Sequence, residues 1–103
     1  MIIHYLSKKD QQVFENERLL KKKYGSRAEV ILIRLAEFEA ANSLADIPET
    51  PPPRRHKLIG KKDCWAISIS RNFRILLEPY GQWEDGNLSS IVEIKILSIE
   101  DYH

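Results

Sequence analysis

The sequence holds a single cysteine, Cys64, so no disulfide can form within the chain and folding must rest on a packed core. A lone thiol fits a reducing compartment, and a cytoplasmic location is expected. No apolar run approaches the ~18 residues that a membrane span requires. The opening "MIIHYLSKKD" lacks a basic leader, apolar stretch and small-residue cleavage site in that order, so neither a membrane partner nor a signal peptide is expected. Metal-ligand patterns are missing: there is no H-x-x-x-H, no second cysteine and no Asp-rich loop. Among only four glycines there is no G-x-S-x-G elbow and no phosphate-cradling loop. No metal and no cofactor is therefore expected. An excess of charge of one sign is lacking as well. Sixteen Lys and Arg against fifteen Asp and Glu leave +1, so bulk charge argues neither for nor against a polyanionic partner.

The charges are unevenly placed. "RLLKKKYGSR" (18–27) and "RRHKLIGKK" (54–62) hold ten of the sixteen basic residues. A nearly neutral protein can thus carry a basic surface, which is the part a nucleic acid would meet. With 103 residues, 43% hydrophobic and 30% charged, the chain reads as one globular domain over 1–103 with a modest core.

Periodicity divides the chain in two. "IIHYL" (2–6) reads as a short strand. Ser7 is placed to cap a helix from Lys8 to about Tyr24, with Asp10 in the capping-box position, Val13, Phe14, Leu20 and Tyr24 as its apolar stripe and Gly25 as its stop. Ser26, with Glu29 three residues on, restarts a helix whose apolar positions Ala28, Ile31, Leu35, Phe38, Ala41 and Ala45 predict a run to about Ala45. "DIPETPPPRR" (46–55) is a stiff connector, since its prolines remove donors and fix φ. Beyond it the pattern has period two. Trp65, Ile67 and Ile69 alternate with Ala66, Ser68 and Ser70; Phe73, Ile75 and Leu77 alternate with Arg74, Leu76 and Glu78. "IVEIKILSI" (91–99) predicts the last strand, with a bulge where Leu97 and Ile99 break parity. "HKLIG" predicts one more short strand. The expected fold is α+β: a short N-terminal strand, then a two-helix hairpin packed on one face of a three- to four-stranded antiparallel sheet. The other face is left open, with Arg74 on it.

Few side chains suggest chemistry. His4 has no ligand partner at useful spacing and reads as structural. Cys64, just before Trp65 in a strand, reads as a small apolar filler. His56 lies among Arg54, Arg55 and Lys57, a cationic setting that lowers an imidazole pKa and suits a base; a solvated basic loop is the plain alternative. "SIEDYH" places Asp101, Tyr102 and His103 directly after an apolar strand. RNA cleavage without metal needs a base for the 2′-hydroxyl, cations for the phosphorane charge and an acid for the 5′-oxygen. Arg74, His56, Tyr102 and His103 can meet these needs if the last strand lies beside the one carrying Arg74. On the residues alone, a basic surface without catalysis stands as the equal alternative.

Taken in order, "SLADIPETPPPRRHKLIGKKDCWAISISRNFRILLEP" and "VEIKILSIEDYH" resemble the HigB branch of the RelE/ParE toxin superfamily. The shared pattern is a helix ending in "SL.D(I/L)", a Pro-rich link, "HxLxG", a Trp-bearing strand, "N(W/F/Y)R" opening the next strand, and a closing "DYH". "LKKKYGSRAEVILIRLAEFEAA" also looks like this branch, so the likeness spans nearly the whole chain. It implies a RelE-like fold and the toxin of a bacterial type II toxin–antitoxin system. Such a toxin is a ribosome-dependent mRNA endonuclease restrained by a HigA-like antitoxin with a helix-turn-helix domain. By position it implies that Arg74 contacts the phosphate, that Asp101, Tyr102 and His103 form the catalytic group, and that His56 matches the histidine of "HxLxG". Arg54, Arg55, Lys57, Lys61, Lys62 and the run Lys21, Lys22 and Lys23 are then the expected contacts to mRNA and ribosomal RNA. One position departs: relatives place a lysine just before the glycine, where Ile59 stands, and Lys61 or Lys62 would have to supply that cation. A ParE-like gyrase poison and a catalytically weak, antitoxin-binding homologue are the competing functions.

Overall fold

Residues 1–101 are described by a computed structural model; the expectations for Tyr102 and His103 lie outside the described residues. The chain opens with strand β1 (Ile2–Tyr5), followed by helices α1 (Lys8–Phe14), α2 (Glu17–Tyr24) and α3 (Ala28–Ala40). Four strands follow: β2 (His56–Lys57), β3 (Trp65–Ser68), β4 (Phe73–Pro79) and β5 (Glu93–Asp101).

Local chemistry explains each helix boundary. Ser7 Oγ accepts from the Asp10 amide at 3.0 Å and starts α1. The long first helix expected from the stripe is two shorter ones, because Asn16 takes an extended backbone and its Oδ1 accepts from the Leu19 amide at 3.1 Å. A short amide side chain that bonds its own backbone competes with helix continuation. Gly25, with φ +61°, stops α2 where expected. Ser26 does not cap α3; residues Gly25–Arg27 form a 3₁₀ turn that runs straight into it. α3 also ends at Ala40 rather than near Ala45. There the backbone turns extended at Ala41, Asp46 accepts from the Asn42 amide, and Ser43 Oγ accepts from the Ala45 amide.

The sheet has five strands in the order β1-β5-β4-β3-β2. It is mixed rather than purely antiparallel, since β1 runs parallel to β5 with Ile2 opposite Glu93 and Tyr5 opposite Ile96. A parallel neighbour requires a long crossover, and everything between β1 and β5 provides it. The expected bulge is present: Leu76 pairs with Ser98 and Leu77 with Ile96, leaving Leu97 as the extra residue.

The helices cover one face. Ile67, Ile75, Leu77, Ile94 and Ile96 form its floor, and Phe14, Leu20, Ile31, Leu35 and Phe38 descend onto them. Each such side chain contributes about 1.5–3 kcal/mol of burial. Arg34, 5% exposed, ties the layers together: its Nε donates to the Ser68 carbonyl at 2.8 Å and its Nη1 to Glu37 at 3.1 Å. The opposite face is only partly open. The Leu58 amide donates to the Cys64 carbonyl at 2.9 Å, closing loop 58–64, and Leu58 and Cys64 pack there with Ala66, Leu76 and Leu97.

Candidate functional site

Arg74 enters the surface through strand alternation. Phe73, Ile75 and Leu77 must bury their side chains under the helices, so Arg74 is driven to the far face. Register places it between Ser68 on β3 and Glu100 on β5. Its guanidinium is held there: Nη2 donates to Glu100 Oε1 at 2.5 Å and Nε to the same oxygen at 3.2 Å. Both side chains are partly withdrawn from water, Arg74 at 17% exposure and Glu100 at 34%. A charge-assisted pair in that setting fixes side-chain direction more firmly than a surface ion pair does.

His56 belongs to the same face. It pairs with Ala66, which pairs with Leu76, and cross-strand partners point to one side. One strand intervenes and two residues separate the rows, so His56 and Arg74 stand roughly 12 Å apart at the backbone, within reach of one phosphodiester and its sugar. His56 Nδ1 lies 3.2 Å from the Arg54 carbonyl. A carbonyl can only accept, so in the neutral ring the proton sits on Nδ1 and Nε2 carries the lone pair.

The Cys64 thiol marks the local field. Burial pushes its pKa up; Glu78 and Glu100 add to that, while Lys61 and Arg74 oppose it. Lys61 thus acts on the same thiol as Arg74, and Ile59 in the same loop is fully exposed. The face carries acids as well as bases and is not a uniform positive field. No group of three His, Cys, Asp or Glu suited to a metal occurs among the described residues.

Against known proteins, no family model matches the chain and no curated protein matches it. A solved structure does: the YoeB/ParE toxin from Agrobacterium tumefaciens aligns over 100% of both chains with a TM-score of 0.59 and 14% identity. The chain has the fold of a YoeB/ParE toxin. At that identity the likeness concerns architecture, and the roles of individual residues rest on the geometry above.

On this toxin fold the expected site residues separate into groups. Asp101 pairs with Phe73, at a helix-face position of the sheet, while Glu100 pairs with Arg74 and places a carboxylate on its guanidinium. Sequence reading missed Glu100 because its contact with Arg74 depends on the pairing of β4 with β5, which no short stretch of the chain encodes. Arg55 also departs from expectation. It is 8% exposed, its Nε donates to the Ile47 carbonyl at 2.7 Å and its Nη2 lies 3.7 Å from Glu49, so it braces the proline connector instead of meeting RNA. Arg54 and Lys62 are exposed. Lys57 pairs with Trp65 and points to the helix side, its Nζ 5.2 Å from that ring. Lys21, Lys22 and Lys23 lie on α2, in the helical layer and away from Arg74; Lys21 pairs with Glu17 at 3.1 Å and Lys23 sits over Tyr24.

Two further groupings had no local signal. Arg27 stacks its guanidinium 3.8 Å over Phe73, close to where β5 ends. His4 Nε2 meets Glu93 Oε1 at 2.9 Å while its ring stacks on Tyr80 at 3.8 Å. Parallel pairing of β1 with β5 creates that contact, and spacing along the chain cannot reveal it.

Proposed function

We propose that this chain is the toxin of a type II toxin–antitoxin system, a metal-independent endoribonuclease that cuts translated mRNA on the ribosome. The observation that supports this reading is the placement of Arg74 and the Nε2 side of His56 on one face of a YoeB/ParE toxin fold. In the step proposed, His56 Nε2 takes the proton from a ribose 2′-hydroxyl and the freed oxygen attacks the adjacent phosphorus. The bond to the 5′-oxygen breaks, leaving a 2′,3′-cyclic phosphate and a 5′-hydroxyl. Arg74 stabilises the charge that builds on the phosphorane oxygens. Tyr102 and His103 follow Asp101 in the chain and are the candidates to orient the strand and return a proton to the 5′-oxygen; Asp101 would balance the charge of His103. Arg54, Lys61 and Lys62 would meet RNA phosphates, which makes binding strongly salt-dependent. The partners on this reading are a HigA-like helix-turn-helix antitoxin, the ribosome and its mRNA, in a bacterial cytoplasm.

Expression without the antitoxin should arrest growth and yield transcripts cut within codons. Arg74→Ala and deletion of His103 should each relieve the arrest; if both variants fold and remain fully toxic, the site assignment fails. Two observations keep other readings in play. The solved neighbour is a YoeB/ParE toxin, and a gyrase-poisoning toxin would raise a DNA-damage response with intact mRNA. Full exposure of Ile59 at the position expected to carry lysine favours a catalytically weak antitoxin-binding homologue, which would give no growth phenotype at all.

A further inference from the structure

A second recess lies across the β2 edge from His56. Lys57 follows His56 in the chain but points to the other side of the sheet, and there it helps line a hollow of about 230 Å³. The chain's two tryptophans, Trp65 and Trp83, form two of its walls, their rings 6.5 Å apart and 80° to each other. Ile91 is buried beneath them, and Asp85 and Asn87 stand exposed at the rim. Asn87 Oδ1 is engaged with the Ser89 amide, whereas the Asp85 carboxylate makes no hydrogen bond or ion pair among the described residues.

The chemistry of this hollow suits one flat ring system. Its volume is below the range of drug-sized pockets. Indole walls favour an aromatic guest through stacking. The Lys57 ammonium, 5.2 Å from the Trp65 ring, supplies a cation for an attached phosphate. The rim carboxylate accepts from adjacent N–H donors, and among the RNA bases guanine offers such a pair on its Watson–Crick edge, from the ring imino and the exocyclic amino group. We propose that this hollow is a base-specificity pocket that receives a guanine of the RNA strand next to the scissile phosphate. The proposal rests on the nuclease reading above and deepens it. A strand crossing the β2 edge would place its reactive phosphate on the His56–Arg74 face and its neighbouring base in the hollow, against the exposed side of Trp83.

Because both tryptophans line the hollow, intrinsic fluorescence reports on it directly. The test uses the purified full chain and uncleavable 2′-O-methyl RNA hexamers of sequence UUUNUU, with each base in turn at N. A saturable quench about tenfold tighter for guanine than for the other bases is expected, in line with the discrimination of one two-point base contact. Asp85→Asn, an exposed substitution, should reduce that preference below twofold, and Trp83→Phe should weaken binding of every hexamer. Equal quenching by all four hexamers, unchanged in Asp85→Asn, overturns the proposal. So does the absence of saturation by any hexamer when N-acetyl-tyrosinamide saturates the signal, since the guest is then a protein side chain. Binding and cleavage separate the two readings. Guanine-selective binding by a protein that cuts no mRNA removes the nuclease and leaves the pocket. Cleavage whose base preference is untouched by Asp85→Asn removes the pocket and leaves the nuclease.

Discussion

Glu100 Oε1 accepts two hydrogen bonds from one edge of the Arg74 guanidinium, so the arginine is clamped side-on in the sheet surface from the neighbouring strand. This contact gives the face its direction, because lysine has no planar fork to be held that way. On the proposed function, Arg74→Lys should lower ribosome-dependent mRNA cleavage about 100-fold, the typical cost of removing one oriented donor from a developing oxyanion. Glu100→Gln, which keeps the hydrogen-bonding shape but loses the charge, should cost three- to tenfold. Rates on a defined message in a purified translation mixture provide the measurement; full activity in both variants would show that this clamp plays no part.

Arg54 and Arg55 are neighbours with opposite duties. Arg55 braces the Ile47 carbonyl from a buried position, and Arg55→Ala leaves that acceptor without its partner. A loss of about 1–3 kcal/mol is expected, read from urea midpoints. Arg54→Ala, at an exposed position with φ +46°, should shift stability by no more than about 0.5 kcal/mol. On the proposed function it should instead reduce the salt slope of RNA binding by about one. Equal stability effects at the two positions would contradict the assigned burial.

Tyr5 should shape stability at high pH. Burial, helped by Glu15 and Glu39, pushes its phenol from 10.0 up to about 12. The folded state then keeps a proton that the unfolded chain releases above its own pKa. The contribution is complete below about pH 10 and is lost as pH rises towards 12. Denaturant melts across that window should decline more steeply for the natural chain than for Tyr5→Phe, and phenolate absorbance should lag in the folded protein. Parallel curves would refute the shift.

The Cys64 thiol, pushed up first by burial and then by Glu78 and Glu100, should stay protonated at neutral pH and react slowly with disulfide reagents. Arg74→Ala removes one of the two cations that oppose the shift and should slow the reaction further. Fast labelling of the native protein would mean that loop 58–64 opens readily and that the apolar cluster beneath it is not a fixed part of the face.

Legibility followed the range of the forces involved. The alternation of Trp65, Ile67, Phe73, Ile75 and Leu77 reported β3 and β4 and put Arg74 on the far face, because burial acts on each residue in turn. Gly25 and Ser7 marked helix ends through hydrogen bonds spanning three or four residues. The break at Asn16 was less visible, since a helix-breaking cap and a tolerated helix residue look alike in one dimension. Glu100 carried no signal at all: it meets Arg74 only because β5 lies beside β4 in a register set by the bulge at Leu97, and that register joins residues far apart in the chain.

Composition and periodicity alone established a helical half and a β half joined by a proline connector, together with a face bearing Arg74 opposite the core. Those features arise from local backbone preferences and from the need to hide apolar side chains, both written residue by residue. Strand order, the parallel seating of β1 against β5, the burial of Arg55 and the meeting of Trp65 with Trp83 arose only on folding. Each joins residues distant in the chain, and their contact depends on how the whole sheet closes rather than on any short stretch of it.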